Sequence, residues 1–164
     1  MFEPDPCHDS EHLLARLSGL RQAAARRGIP VVFVRNNGSD GDPDQPGTPG
    51  WAIHPDLCPA PSDTIIDKAE SDAFTNPDLA IQLERLGVDA VTIAGLQSEF
   101  CVQSTALGAQ AHGLGVIVAS DGHSTFDGTE SARSTIDQIN RELRSVASLQ
   151  TCNTITQRWE LPAG

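Results

Sequence analysis

The chain has 164 residues, 22 acidic against 11 basic side chains and a formal net charge of −11. That balance argues against nucleic acid and anionic membranes as partners, since both need clustered Lys and Arg. An apolar fraction of 38% with 14 glycines argues against disorder and predicts one globular domain over residues 1–164.

No apolar run approaches the ~20 residues of a membrane span, and the opening MFEPDPCHDSE has neither a basic nor an apolar leader region. The expected location is therefore cytoplasmic. Cys7, Cys58, Cys101 and Cys152 are scattered without a CxxC pair and read as reduced thiols, so neither metal nor cofactor is expected.

In chain order, Asp9 or Ser10 caps a predicted helix carrying Leu13, Leu14, Leu17, Leu20 and Ala24 on helical spacing, stopped at Gly28. Residues 29–34 (IPVVFV) read as a strand buried on both faces. Residues 36–62, rich in Gly, Pro and Asp, form a long excursion of the kind that often carries function. Residues 64–66 are a second strand, delivering Lys68 at its end. Asn76, Pro77 and Asp78 start a helix by cap, preset φ and an acid in the first turn; Leu79, Leu83 and Leu86 carry it to Gly87.

Residues 91–94 are a third strand, turning at Gly95 into a helix over 101–112. Residues 116–119 are a fourth strand, ending at Asp121 and Gly122. A helix with Ile136, Ile139, Leu143 and Val146 on one face follows, and 154–156 is a weak last strand. Alternating helices and buried strands define an α/β fold with a mostly parallel sheet, whose chemistry sits at the strands' C-terminal ends.

Two residues stand out there. Cys101 follows a strand and a tight turn and opens a helix, where free N–H groups and the positive dipole end favour a thiolate and can face an oxyanion. Its structural alternative is a small buried hydrophobe. Lys68 is the single lysine beside ten arginines and falls on the same predicted rim. It reads either as a cation for that thiolate or as a surface lysine paired with Glu70.

The segment AGLQSEFCVQSTALGAQAHGLG resembles the core of the isochorismatase-like cysteine hydrolases, in Gly95, Ser98, Glu99, Cys101, Val102, Thr105, Ala106, Ala109 and Gly113. Lys68, Ala73 and Phe74, followed by Leu79 and Leu83, resemble that family's lysine segment, and PGTPGWAIHPDL (residues 46–57) is similar to a loop in one branch of it.

The resemblance implies a three-layer α/β/α hydrolase with a Cys–Asp–Lys set acting on a small molecule. The bond is expected to be an amide C–N bond, with vinyl-ether cleavage as the other family chemistry. Cys101 would be nucleophile, Lys68 the activating cation, and the Gln97 and Cys101 amides the oxyanion hole beyond a cis Leu96–Gln97 bond. Leu96, Trp51, His54 and Phe74 are candidate substrate contacts. A loop histidine such as His54 is more often just solvated, His123 reads as structural, and Trp51 and Phe74 read equally as core. Family members commonly form dimers or tetramers, so a homo-oligomer is implied.

One feature departs from the family pattern. Its catalytic Asp lies on an N-terminal strand, apolar residues followed by Asp-x-Gln, and this chain opens at Met1-Phe2-Glu3-Pro4 just after that point. Asp5 and Asp9 fall on the wrong side of the segment to replace it. Asp72 stands where a small hydroxyl residue is usual, and Pro77 where Thr is common. The first central strand is thus expected to be missing. The sequence is then a short reading of a longer chain, a catalytically inactive binding or oligomer-forming relative, or a fold closed by another chain. Residues 31–34 and 91–93 are expected to flank an empty strand position ~10 Å wide, twice the spacing of paired strands.

Overall fold

A computed structural model describes residues 6–161; Asp5 and the opening Met1–Pro4 lie outside the described residues. Among the described residues there are five strands and five α-helices, alternating except that the second strand follows the first with no α-helix between. They are α1 (Ser10–Arg27), β1 (Val32–Asn36), β2 (Thr64–Lys68), α2 (Pro77–Leu86), β3 (Ala90–Leu96), α3 (Gln103–Ala111), β4 (Gly115–Ser124), α4 (Ala132–Glu142), β5 (Ser148–Gln150) and α5 (Cys152–Glu160).

Local chemistry sets most of these boundaries. Gly28 and Gly87 end α1 and α2 in left-handed conformation, and Asn76 caps α2 by accepting from the Asp78 N–H. At the start of α1 the Asp9 side chain makes no cap; its carboxylate turns to His12 and Arg16 instead.

All the pairings are parallel. β1 pairs with β2 from Val32↔Thr64 to Asn36↔Lys68, and β3 pairs with β4, which pairs with β5. Along β4 the side chains alternate between two helical layers. Val116 and Val118 pack with Val102, Ala106, Ala109 and Ile139, whereas Ala119 packs with Leu20, Cys152 and Ile155. Helices on both faces of parallel strands give the expected three layers.

Three expectations are corrected. Residues 154–156 belong to α5, because Thr151 caps the helix and Cys152, Ile155 and Trp159 recur at helical spacing on one packed face. The last strand is instead β5. The fourth strand does not end at Asp121: a bulge opposite Ile93–Gly95 lets β4 continue, pairing His123 with Gly95 and Ser124 with Leu96. The predicted burial of the first strand also fails. No residue of β1 is fully buried, and Val34 is 39% exposed.

Among the described residues β1–β2 and β3–β4–β5 form separate sheets, with no ladder joining β1 to β3. Residues of both strands line a cavity of about 640 Å³ between them. The same core shows how closely α3 approaches the turn before α2. A Cβ at Gly108 would collide with the Asp72 carboxylate, which accepts from the Phe74 N–H at 2.9 Å. Gly108→Ala is expected to cost about 1–2 kcal/mol through overpacking and a displaced cap, measurable as a lower urea midpoint at unchanged m value.

Candidate active site

The candidate site begins where β2 and β3 end. β2 delivers Lys68, 6% exposed, and β3 runs into Gly95 (φ +124°), a conformation that only glycine takes without strain. The Leu96–Gln97 peptide is cis. Beyond it, Ser98–Val102 forms a single π-helical turn, closed by Val102 N–H donating to Gln97 O at 3.0 Å, before α3 begins. Cys101 therefore sits inside a π turn, where the sequence predicted the start of a regular helix. π turns of this kind are frequent at functional sites.

Lys68 Nζ lies 3.1 Å from Cys101 Sγ, well inside the ~6 Å over which a neighbouring charge acts strongly. The ammonium's other donors go to Asn36 Oδ1 at 3.0 Å and Glu70 O at 2.7 Å. Its contact with Glu70 is thus to the backbone, not the carboxylate. Three donors meet three acceptors, and among the described residues no carboxylate forms an ion pair with Lys68. A buried ammonium needs an anionic partner, and Cys101 Sγ is the group in contact that can become one.

Asn36 and Asp44 are site residues that the sequence did not single out. Asn36 accepts from Lys68 and donates to Asp44 Oδ2 at 2.8 Å, so a carboxylate on the cavity wall connects to the ammonium through one amide. The available signal was Asn36 at the end of an apolar strand, in register with Lys68.

Trp51, His54 and Leu96 line the same cavity. Trp51 is held by its indole N–H donating to Asn37 Oδ1 at 2.7 Å and by the Arg35 guanidinium 3.7 Å above its ring. Arg35 in turn makes a two-pronged contact with Asp67, fixing the wall. His54 caps the 3-10 turn Pro55–Leu57. Phe74 is placed elsewhere: it stacks on His112 with ring centroids 4.5 Å apart and packs into the core, while its neighbour Ala73 reaches the cavity.

His123 supports the turn from behind. Asn140 Nδ2 donates to Ser120 O, which orients its Oδ1 toward His123 Nε2–H at 3.1 Å. Nδ1 is then free to accept from the fully buried Ser98 hydroxyl at 2.8 Å. Burial pushes the His123 pKa down, opposed by the Asn140 bond and by the charges of Asp121 and Glu99. The unfolded chain therefore takes up a proton near pH ~6.5 that the folded imidazole refuses. This group's contribution to stability is complete above that pH and is lost as pH falls from there through the folded-state value. His123→Gln is expected to flatten that part of the profile, read as a smaller drop in urea midpoint between pH 7.5 and 5 than in the unsubstituted chain.

Among the described residues no group of three His, Cys, Asp or Glu is arranged to hold a metal ion. No helix among them is long and apolar enough to cross a membrane.

The thiol and the ammonium thus meet at the strand ends of a three-layer parallel α/β fold. The family model of the isochorismatase domain matches residues 2–151. A solved isochorismatase-like hydrolase from Alkaliphilus metalliredigens superposes with a TM-score of 0.84 at 26% identity, covering 96% of this chain and 89% of that one.

Streptothricin hydrolase of Streptomyces noursei is 35% identical over 119 residues, which is 73% of this chain and 43% of that protein. N-carbamoylsarcosine amidase of Arthrobacter sp is 25% identical over 133 residues, 70% of this chain and 50% of that protein. The chain thus spans about half the length of these curated relatives. It belongs to the isochorismatase family of hydrolases.

Proposed function

We propose that this chain carries the nucleophilic half of a cysteine hydrolase that opens an amide C–N bond of a small molecule. The observation that carries the reading is the 3.1 Å contact between Cys101 Sγ and the buried Lys68 ammonium at the edge of the cavity. In this reaction Sγ of the thiolate bonds to the carbonyl carbon. The oxyanion is received by the Gln97 and Cys101 amides, the C–N bond breaks, and the nitrogen leaves with a proton. Water then cleaves the thioester, releasing the carboxylate and restoring the thiolate. The names of the two curated relatives, a streptothricin hydrolase and an amidase, support amide over vinyl-ether cleavage.

The proton for the leaving nitrogen needs a carrier, and family resemblance assigns that role to an Asp on an N-terminal strand. Among the described residues no carboxylate hydrogen-bonds to Cys101. This favours a second reading, in which the chain binds small molecules or other copies of itself without turnover. Phe100 and Leu107, 52% and 47% exposed, are apolar side chains available for self-association.

Mass spectrometry of the protein after exposure to N-carbamoyl amides tests the first reading. The expected result is an acyl adduct on the Cys101 peptide that is absent from Cys101→Ala. Folded protein that binds such amides but never acquires the adduct would establish the second reading instead.

A further inference from the structure

We propose that His123 is a positioning residue of the acylation step: through the Ser98 hydroxyl it holds the turn that carries the Gln97 and Cys101 amides, and so sets how well they receive the oxyanion. The proposal rests on the reading of Cys101 as a nucleophile served by those two amides. Ser98 follows Gln97 and stands between them in the chain.

The turn spans a stretch that the regular elements do not hold. The ladder to β4 ends at the pair Leu96↔Ser124, and α3 begins at Gln103. Between them the π turn is closed by Val102 N–H donating to Gln97 O and by Gln103 N–H reaching back to Ser98 O. An oxyanion hole needs more than closure, because its N–H groups must already stand ~2.7–3.1 Å from the place where charge develops. Side chains from beyond the bulge in β4 supply the anchorage. Ser98 Oγ donates to His123 Nδ1 at 2.8 Å, and Thr125 Oγ1 donates to Glu99 Oε1 at 2.7 Å. The bulge is what brings these anchors alongside the turn, since it lets His123 pair with Gly95 and Ser124 with Leu96.

The direction of the Ser98 bond is set from outside the turn. Asn140 gives its N–H to Ser120 O and takes the His123 Nε2 proton on Oδ1, which leaves Nδ1 as the acceptor for Ser98. A hydroxyl at 0% and an imidazole at 3% exposure carry a desolvation cost that apolar side chains would not, so their bond has to be made. Ser98 and His123 have the pairing of a nucleophile and its base, but neither lines the cavity with Cys101. Their action on the reaction therefore runs through the turn.

Two reactions of one thiol separate this role from a general loss of structure. In acylation by p-nitrophenyl acetate Sγ bonds to the carbonyl carbon, the carbonyl electron pair moves onto oxygen, and its return expels p-nitrophenolate. In alkylation by iodoacetamide Sγ displaces iodide at a saturated carbon, and no oxyanion forms. Both rates are read on the Cys101 peptide by mass spectrometry, in full chains whose urea midpoints show that they are folded. His123→Leu is expected to slow acylation by about tenfold or more and alkylation by less than about twofold, since a displaced donor forfeits part of the ~10²–10³-fold that one oxyanion donor contributes. Ser98→Ala, the smaller change, should give the same loss, and the double variant little beyond either, because all three remove one bond. His123→Asn keeps an acceptor near the place of Nδ1 and should restore the ratio of the two rates to within about threefold of the unsubstituted chain.

An unchanged ratio in Ser98→Ala would overturn the proposal, and that variant decides alone where His123→Leu does not fold. Acylation and alkylation falling together, or His123→Asn staying as slow as His123→Leu, would overturn it as well. Each of these outcomes leaves the amidase reading standing. Failure of the unsubstituted chain to become acylated at Cys101 would instead overturn that reading, and this proposal with it.

Discussion

Iodoacetamide at neutral pH is expected to label Cys101 ahead of the other three thiols, by on the order of tenfold over Cys58. The thiolate is the reactive form, and Cys101 Sγ is the thiol in contact with an ammonium. Cys7 and Cys152 are buried, and burial raises both pKa values, that of Cys152 to about 12 with Asp121 adding to the rise. They should remain unlabelled until the protein unfolds.

Cys58 is exposed and serves as the internal reference. Lys68→Met removes the ammonium 3.1 Å from Sγ and should bring Cys101 down to the Cys58 rate. The exchange also takes a donor from Asn36 Oδ1 and Glu70 O, so the rates are compared in samples whose urea midpoint shows that the variant is folded. Equal labelling of Cys58 and Cys101 in the folded, unsubstituted chain would remove the case for an activated nucleophile.

The second large effect separates nucleophilic attack from proton transfer. With p-nitrophenyl acetate the leaving group departs as a stable anion, so Cys101 should release about one equivalent of nitrophenolate per chain in a rapid burst. Cys101→Ala should lose that burst by at least ~100-fold, because it removes the atom that accepts the acyl group. Amides need a protonated leaving nitrogen, and a general acid is typically worth ~10²–10⁴-fold in rate. If the 164 residues supply no such acid, their steady turnover of amides should be lost or slower by that factor. Rapid amide turnover by these 164 residues would show that a proton carrier is already present, with Asp44 the first candidate through its link to Asn36 and Lys68.

Local rules read much of this chain well. Asn76, Pro77 and Asp78 start α2 and Gly87 stops it, since caps and preset dihedrals act within one turn of chain. They failed where the deciding contact is distant. The triplet Thr154–Ile155–Thr156 has strand composition, but Thr151 caps a helix there and packing against Leu20 and Ala119 rewards a 3.6-residue period. The bulge in β4 is equally invisible locally, because it is set by the register against Gly95 and Leu96.

The sequence by itself determined the alternation of helices and parallel strands, the single lysine and the cysteine on one rim of the strands' C-terminal ends, and the resemblance that names the family. These follow from periodicity, turn chemistry and motif spacing, which are properties of short stretches. Only the tertiary structure decided that Lys68 Nζ touches Cys101 Sγ, that Asn36 joins them to Asp44, that Ser98 is held by His123 and Asn140, and that Phe74 packs away from the cavity. It also decided that the described strands form two sheets, β1–β2 and β3–β4–β5, with residues of β1 and β3 lining one cavity. Each of these depends on residues 8 to 33 positions apart or more, brought together by sheet register and helix packing, which no local pattern encodes.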